Sequence, residues 1–140
     1  MKTILLVEDD VFIRESLAEL LKMEKYKVVE APNGEKAKTL LLQGFIPDLI
    51  VLDLLMPVMS GEQFLQDFEI RPVLELIPVI VLTAGLSSGL PPKIVRAIIA
   101  KPPNIEKLLQ TVRILLSYSD LSITRGDGVD RKDALKNLRK

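Results

Sequence analysis

The strongest constraint on how this chain can fold is an alternation of short, unbroken aliphatic runs with segments of helical spacing. The runs lie at 4–7, 27–30, 49–52, 79–82 and 97–100, the second weaker than the rest. Four or five Val, Ile and Leu residues bounded by polar turns suit a strand buried on both faces, and hence a parallel sheet. Between the runs the apolar period changes to that of a helix. Residues 11–23 place Ile13, Leu17, Leu20 and Leu21 on one face. A second helix is predicted after Asn33-Gly34, with Ala37, Leu40 and Leu41 inward and Gly44 as its stop. A third begins near Ser60-Gly61-Glu62, carrying Phe64, Leu65 and Phe68, and ends before Pro72. The last keeps its 3, 4, 7 spacing through Ile105, Leu108, Leu109, Val112, Leu115 and Leu116.

Right-handed crossovers in such a series put helices on both faces of the sheet, a three-layer α/β domain. The chain has 140 residues, so one domain is expected, spanning 1–119. From Ser119 onward the composition turns polar, and 120–140 reads as a tail or linker, with a short helix predicted over 131–138. One slot breaks the pattern. Between Thr83 and Lys101, Gly85, Gly89, Pro91 and Pro92 interrupt the place of a helix, leaving room for a short one over 92–96.

Composition removes whole classes of chemistry. The chain has neither cysteine nor histidine, which excludes disulfides, thiolate nucleophiles, Ser-His-Asp triads and His-based metal sites. Nineteen basic residues balance nineteen acidic ones, against the basic excess expected of a nucleic-acid binder. No run approaches the roughly 20 apolar residues of a membrane span, and the first run is too short for a signal peptide. A cytoplasmic location is expected.

In a doubly wound sheet the C-terminal ends of the strands share one edge, where ligands bind. The residues that follow the runs are Glu8-Asp9-Asp10, Asp53, Thr83 and Lys101. Each has an ordinary structural reading, and Asp10 in isolation suits a helix N-cap as well as a ligand. Their convergence is more informative. Clustered carboxylates repel one another unless a cation sits among them. Carboxylates with a backbone carbonyl and waters suit Mg²⁺, a lysine and a hydroxyl suit an anion such as a phosphoryl group, and an aspartate can hold phosphate as an acyl phosphate.

The ordered set Leu6-Val7-Glu8-Asp9-Asp10, Val51-Leu52-Asp53-Leu54-Leu55-Met56-Pro57 with Ser60-Gly61, Val81-Leu82-Thr83-Ala84 and Lys101-Pro102 resembles the response-regulator receiver domains of two-component signalling, over about residues 2–118. The resemblance implies a five-stranded, flavodoxin-like sheet of order 2-1-3-4-5. It implies Asp53 as phosphoacceptor, and Mg²⁺ held by Asp10 directly, by Asp9 mainly through water, by Asp53 and by the backbone carbonyl of Leu55. It further implies that Thr83 and Lys101 bind the phosphoryl group, that the Lys101–Pro102 bond is cis, and that Ile98 is the switch position. The implied partners are a histidine kinase or histidine phosphotransfer protein and a downstream effector, with neither nucleic acid nor membrane bound by this domain. Such a protein catalyses only its own phosphorylation and dephosphorylation.

Three departures from the family stand out. Ile98 replaces the usual aromatic residue, the Thr83–Lys101 interval is about one helical turn short, and Leu55 is apolar where many relatives are polar. Phosphorylation chemistry is therefore expected intact and output non-standard. Two competing readings are a receiver-like interaction module that is never phosphorylated and a Mg²⁺-dependent phosphohydrolase. The complete Asp10, Asp53, Thr83 and Lys101 set argues against the first, and Leu55, where such hydrolases carry a second acid, against the second.

Overall fold

The computed structural model describes residues 1–85 and 89–124. The chain runs β1 (Thr3–Val7), α1 (Val11–Met23), β2 (Lys27–Ala31), α2 (Gly34–Leu42), β3 (Leu49–Asp53), α3 (Gly61–Gln66), α4 (Arg71–Leu74), β4 (Val79–Thr83), β5 (Val95–Ala100) and α5 (Ile105–Thr124). All strand pairs are parallel and their order is β2-β1-β3-β4-β5. This is the sheet expected from the sequence.

The central strands are continuous aliphatic runs because both of their faces are covered. On one face Leu5, Val7, Ile50, Leu52, Val79 and Val81 pack with Ala37, Leu41, Phe64, Leu65 and Leu74. On the other, Ile4, Leu6, Leu49, Val51, Ile80, Leu82 and Ile99 pack with Leu17, Ala18 and Leu21 of α1 and Leu108, Val112 and Leu116 of α5. Caps set the helix starts. The Asp10 carboxylate accepts from the N–H groups of Phe12 and Ile13, Asn33 accepts from Lys36 N–H, and Ser60 and Gln63 form a reciprocal capping box. After α2, Gly44 takes φ +102°, the left-handed turn that stops the helix.

The structure corrects some of the sequence reading. Ile13 is exposed, and Leu17, Ala18 and Leu21 form the buried stripe of α1. The third helix ends at Gln66, leaving Phe68 85% exposed, and Pro72 opens the short α4 instead of closing a helix. Proline fits there because a first turn has no use for its missing N–H. Between β4 and β5 the described residues contain no helix. Pro91 carbonyl oxygen accepts from Ile94 N–H (3.1 Å) and Val95 N–H (2.9 Å) in a single turn, and Val95 and Arg96 already belong to β5. The backbone of α5 continues past Ser119 to Thr124. The helix predicted over 131–138 lies outside the described residues. No described helix is long and apolar enough to cross a membrane.

Candidate functional site

Four strand ends build the site. Glu8 follows β1, Asp53 ends β3, Thr83 ends β4 and Lys101 follows β5. Backbone bonds hold these ends in register. Glu8 N–H donates to Ala31 carbonyl (3.1 Å), Leu54 N–H to Leu82 carbonyl (3.3 Å) and Lys101 N–H to Thr83 carbonyl (2.8 Å).

Asp53 is 2% exposed and Glu8 is 1% exposed. Lys101 Nζ reaches both, lying 3.1 Å from Asp53 Oδ1 and 3.3 Å from Glu8 Oε2. Burial, reinforced by the neighbouring Asp53 charge, pushes the Glu8 carboxyl up to about 7 from 4.5, against the opposing pull of Lys101. Burial lowers Lys101, but its hydrogen bond to Asp53 and the charges of both carboxylates outweigh that, so its ammonium is held above its ordinary value. One lysine thus faces two buried acids, with a third, exposed acid alongside.

That third acid is Asp9. Carboxylate oxygens of Glu8, Asp9 and Asp53 all lie within 4.8 Å of one another. An all-oxygen set of this kind, with one ligand open to water, suits a hard divalent cation such as Mg²⁺. Glu8 Oε2 is buried and accepts no well-aligned hydrogen bond, its charge being met by Lys101 Nζ at 3.3 Å.

The acid set differs by one residue from the sequence reading. Asp10 stands outside the cluster, because its carboxylate binds Phe12 N–H (2.9 Å) and Ile13 N–H (3.0 Å) at the start of α1. Glu8, which the sequence reading noted but gave no role, takes the inner position. Arg14, which that reading missed, braces it. Arg14 Nη1 donates to the Glu8 carbonyl (2.9 Å) and its Nε to Glu30 Oε1 (3.2 Å). The signal available in the sequence was the helical spacing of Arg14, one turn after Asp10.

Around Asp53 the loop is tight. Leu55 N–H donates to Asp53 Oδ1 (3.3 Å) and Gly61 N–H to Leu54 carbonyl (2.9 Å). Val58 sits at φ +71° and is 72% exposed. The Thr83 hydroxyl is buried and turned to Gly85, donating to its carbonyl (3.2 Å) and accepting from its N–H (3.3 Å). The Lys101–Pro102 bond is cis. Ile98, by contrast, lies away from the acids on β5 and is 47% exposed.

Comparison with known proteins agrees with this geometry. The family described as response regulator receiver domain matches residues 4–113. The chain is 33% identical over 129 residues to the "DNA-binding dual master transcriptional regulator RpaA" of Synechocystis, covering 86% of this chain and 51% of that protein. It is 36% identical over 139 residues to the "Probable transcriptional regulator ycf27" of Cyanophora paradoxa, covering 91% and 54%. The chain therefore spans about half the length of these curated relatives. Among solved structures it is similar to the response regulator protein TrrA of Thermotoga maritima in complex with Mg(2+)-BeF, with a TM-score of 0.72 and 36% identity over 82% of this chain and 99% of that one.

Proposed function

The chain belongs to the response regulator receiver family, and from that premise we propose that it accepts a phosphoryl group on Asp53 from the phosphohistidine of a histidine kinase or phosphotransfer protein. The observation that carries this reading is the Lys101–Asp53 pair: an ammonium 3.1 Å from a buried carboxylate, beside two further acids on one sheet edge.

The chemistry follows from those positions. An Asp53 oxygen attacks phosphorus in line, the phosphorus–nitrogen bond breaks, and the imidazole leaves with its electron pair and takes up a proton. Lys101, held protonated by its acid partners, moves its charge from the Asp53 oxygen to the phosphoryl oxygens. The Thr83 hydroxyl exchanges its Gly85 partner for a phosphoryl oxygen. Glu8, Asp9 and Asp53, with the backbone carbonyl of Leu55, would hold Mg²⁺, which would supply further charge neutralisation. These 140 residues contain no histidine, so the donor imidazole lies outside them. The acyl phosphate carries about −1.5 to −2 charges where the carboxylate carried one, and its three oxygens sit further into the pocket, which biases the arrangement of Thr83 and Lys101 and the surface beyond them. A downstream effector, in the cytoplasm, reads that surface.

Incubation of the protein with Mg²⁺ and acetyl phosphate tests the proposal. One phosphoryl group per chain, lost in Asp53→Asn, is the expected outcome. No labelling would mark an interaction module that is not phosphorylated, and sustained release of phosphate over many turnovers would mark a hydrolase.

A further inference from the structure

Among the described residues β5 ends the sheet, so alternate N–H and C=O groups along it face outward without a described strand partner. The other edge, β2, is guarded by charge: Lys27 is exposed and Glu30 is bridged to Arg14. β5, Val95-Arg96-Ala97-Ile98-Ile99-Ala100, has no proline, no acid and one cation. The described connection from β4 supplies no helix to cover it. Ile98 is 47% exposed although its neighbour in register, Val81, is fully buried. Beside the strand lies an open groove of about 300 Å³, lined by Leu90, Pro92, Val95, Arg96, Ala97 and Ile98.

The charge around this edge has one sign. From Leu76 to Ile105 the sequence contains Lys93, Arg96 and Lys101 and not a single Asp or Glu, although the whole chain is neutral. Lys101 is committed to the acid pocket. Lys93 and Arg96 are exposed, and among the described residues neither forms an ion pair.

We propose that the free edge of β5 and its groove form a strand-addition site for an extended, acidic segment of a partner protein. The open backbone groups supply main-chain hydrogen bonds, and the groove takes alternate apolar side chains. Lys93 and Arg96 select acids at the intervening positions and steer the approach. A second copy of this chain is a poorer occupant. Two-fold pairing through β5 brings two acid-free, basic rims together, and that repulsion has no counter-charge on the strand.

The probe is a fluorescein-labelled peptide of alternating glutamate and valine, measured by anisotropy against the full chain. Saturable binding is expected, at least tenfold weaker for Arg96→Glu and for Lys93→Glu. Both side chains are exposed, so both variants should keep the wild-type unfolding temperature. Ile98→Ala, which removes apolar contact without changing charge, should also weaken binding, and the β5 amides should exchange hydrogen more slowly in the complex. Binding should fall with added salt. No binding, or equal binding of a peptide with the same composition in blocks, overturns the proposal. So does a concentration-dependent dimer in sedimentation that Arg96→Glu abolishes, because β5 would then be an interface between copies.

Discussion

Replacing Gly61 by alanine puts a methyl group where the backbone leaves no room. A Cβ there would lie 2.5 Å from the carbonyl oxygen of Asp53 and 2.7 Å from the Cα of Leu54. Neither atom yields easily. Asp53 is the last residue of β3, locked in its ladder with β4. Gly61 N–H is itself bonded to the Leu54 carbonyl at 2.9 Å, and the Ser60–Gln63 capping box fixes the first turn of α3 on the other side. Forcing such an overlap costs about 1–3 kcal/mol. Alanine returns about 0.5–1 kcal/mol relative to glycine inside a helix, less at its first position. The net loss is about 1–2 kcal/mol, which for a domain of this size lowers Tm by about 3–8 °C. Thermal unfolding followed by circular dichroism measures it, with Gly85→Ala as control, since a Cβ at Gly85 meets nothing within 4 Å. Because the displaced atom is the main chain of Asp53, Gly61→Ala should also slow labelling by acetyl phosphate at 25 °C, where the variant is still folded. A Tm equal to or above wild type, with labelling at the wild-type rate, would show that this glycine does not position Asp53.

Further perturbations probe the pocket and its rim. Lys101→Met leaves Glu8 and Asp53 buried with no cation, and should cost about 3–5 kcal/mol in metal-free buffer. Mg²⁺ should then raise its Tm more than it raises that of wild type, and equal increments would show that the lysine does not offset the acids. Val58→Gly removes a β-branched residue from a left-handed conformation that costs about 1–2 kcal/mol at the expense of glycine's added chain entropy, about 0.5–1 kcal/mol. The variant should be more stable in urea titration, and a lowered midpoint would contradict the strain argument. Leu55 is exposed and its N–H donates to Asp53 Oδ1, and Leu55→Asn should lose a phosphoryl group from Asp53 faster than wild type by offering water a polar neighbour. Equal or slower loss by radiolabel chase would count against that role.

The fold was legible because its strongest signals are periodic. Continuous aliphatic runs marked the strands and caps marked the helix starts, and all five strands appear where the runs lie. Boundaries failed where a local rule competed with packing. Phe68 continues the apolar period of α3, yet the helix ends at Gln66, and Asp67 turns back to pair with Lys38 at 2.7 Å. That ion pair comes from residues 29 positions apart, which no local pattern reports. Ile13 fits the period of α1, but it sits in the first turn, and it stays exposed while Leu17, Ala18 and Leu21 are buried. The connection before β5 was flagged by its glycines and prolines, but only coordinates show that the strand begins as early as Val95.

The pocket was legible to within one residue, and the discrepancy has a physical origin. Glu8, Asp9 and Asp10 are three consecutive acids with equal claims in the sequence, and a helix must begin directly after them. Two demands then compete for three side chains. The N–H groups opening α1 need an acceptor, and the residue immediately before Val11 is the one whose extended backbone places its carboxylate over them. That assigns Asp10 to the cap. Glu8 leaves β1 with its backbone N–H still bonded to β2, so its side chain stays under the sheet edge and becomes the buried acid. Asp9, between them, is left facing solvent and Asp53 together. The assignment predicts a separation of effects. Asp10→Ala should lower stability by about 1 kcal/mol through the lost cap and leave Mg²⁺ affinity nearly unchanged, whereas Asp9→Ala should abolish Mg²⁺ binding with little loss of stability. Titration calorimetry with Mg²⁺ on both variants decides between the two placements: if Asp10→Ala loses the ion and Asp9→Ala keeps it, the cap is not what holds Asp10 out of the site.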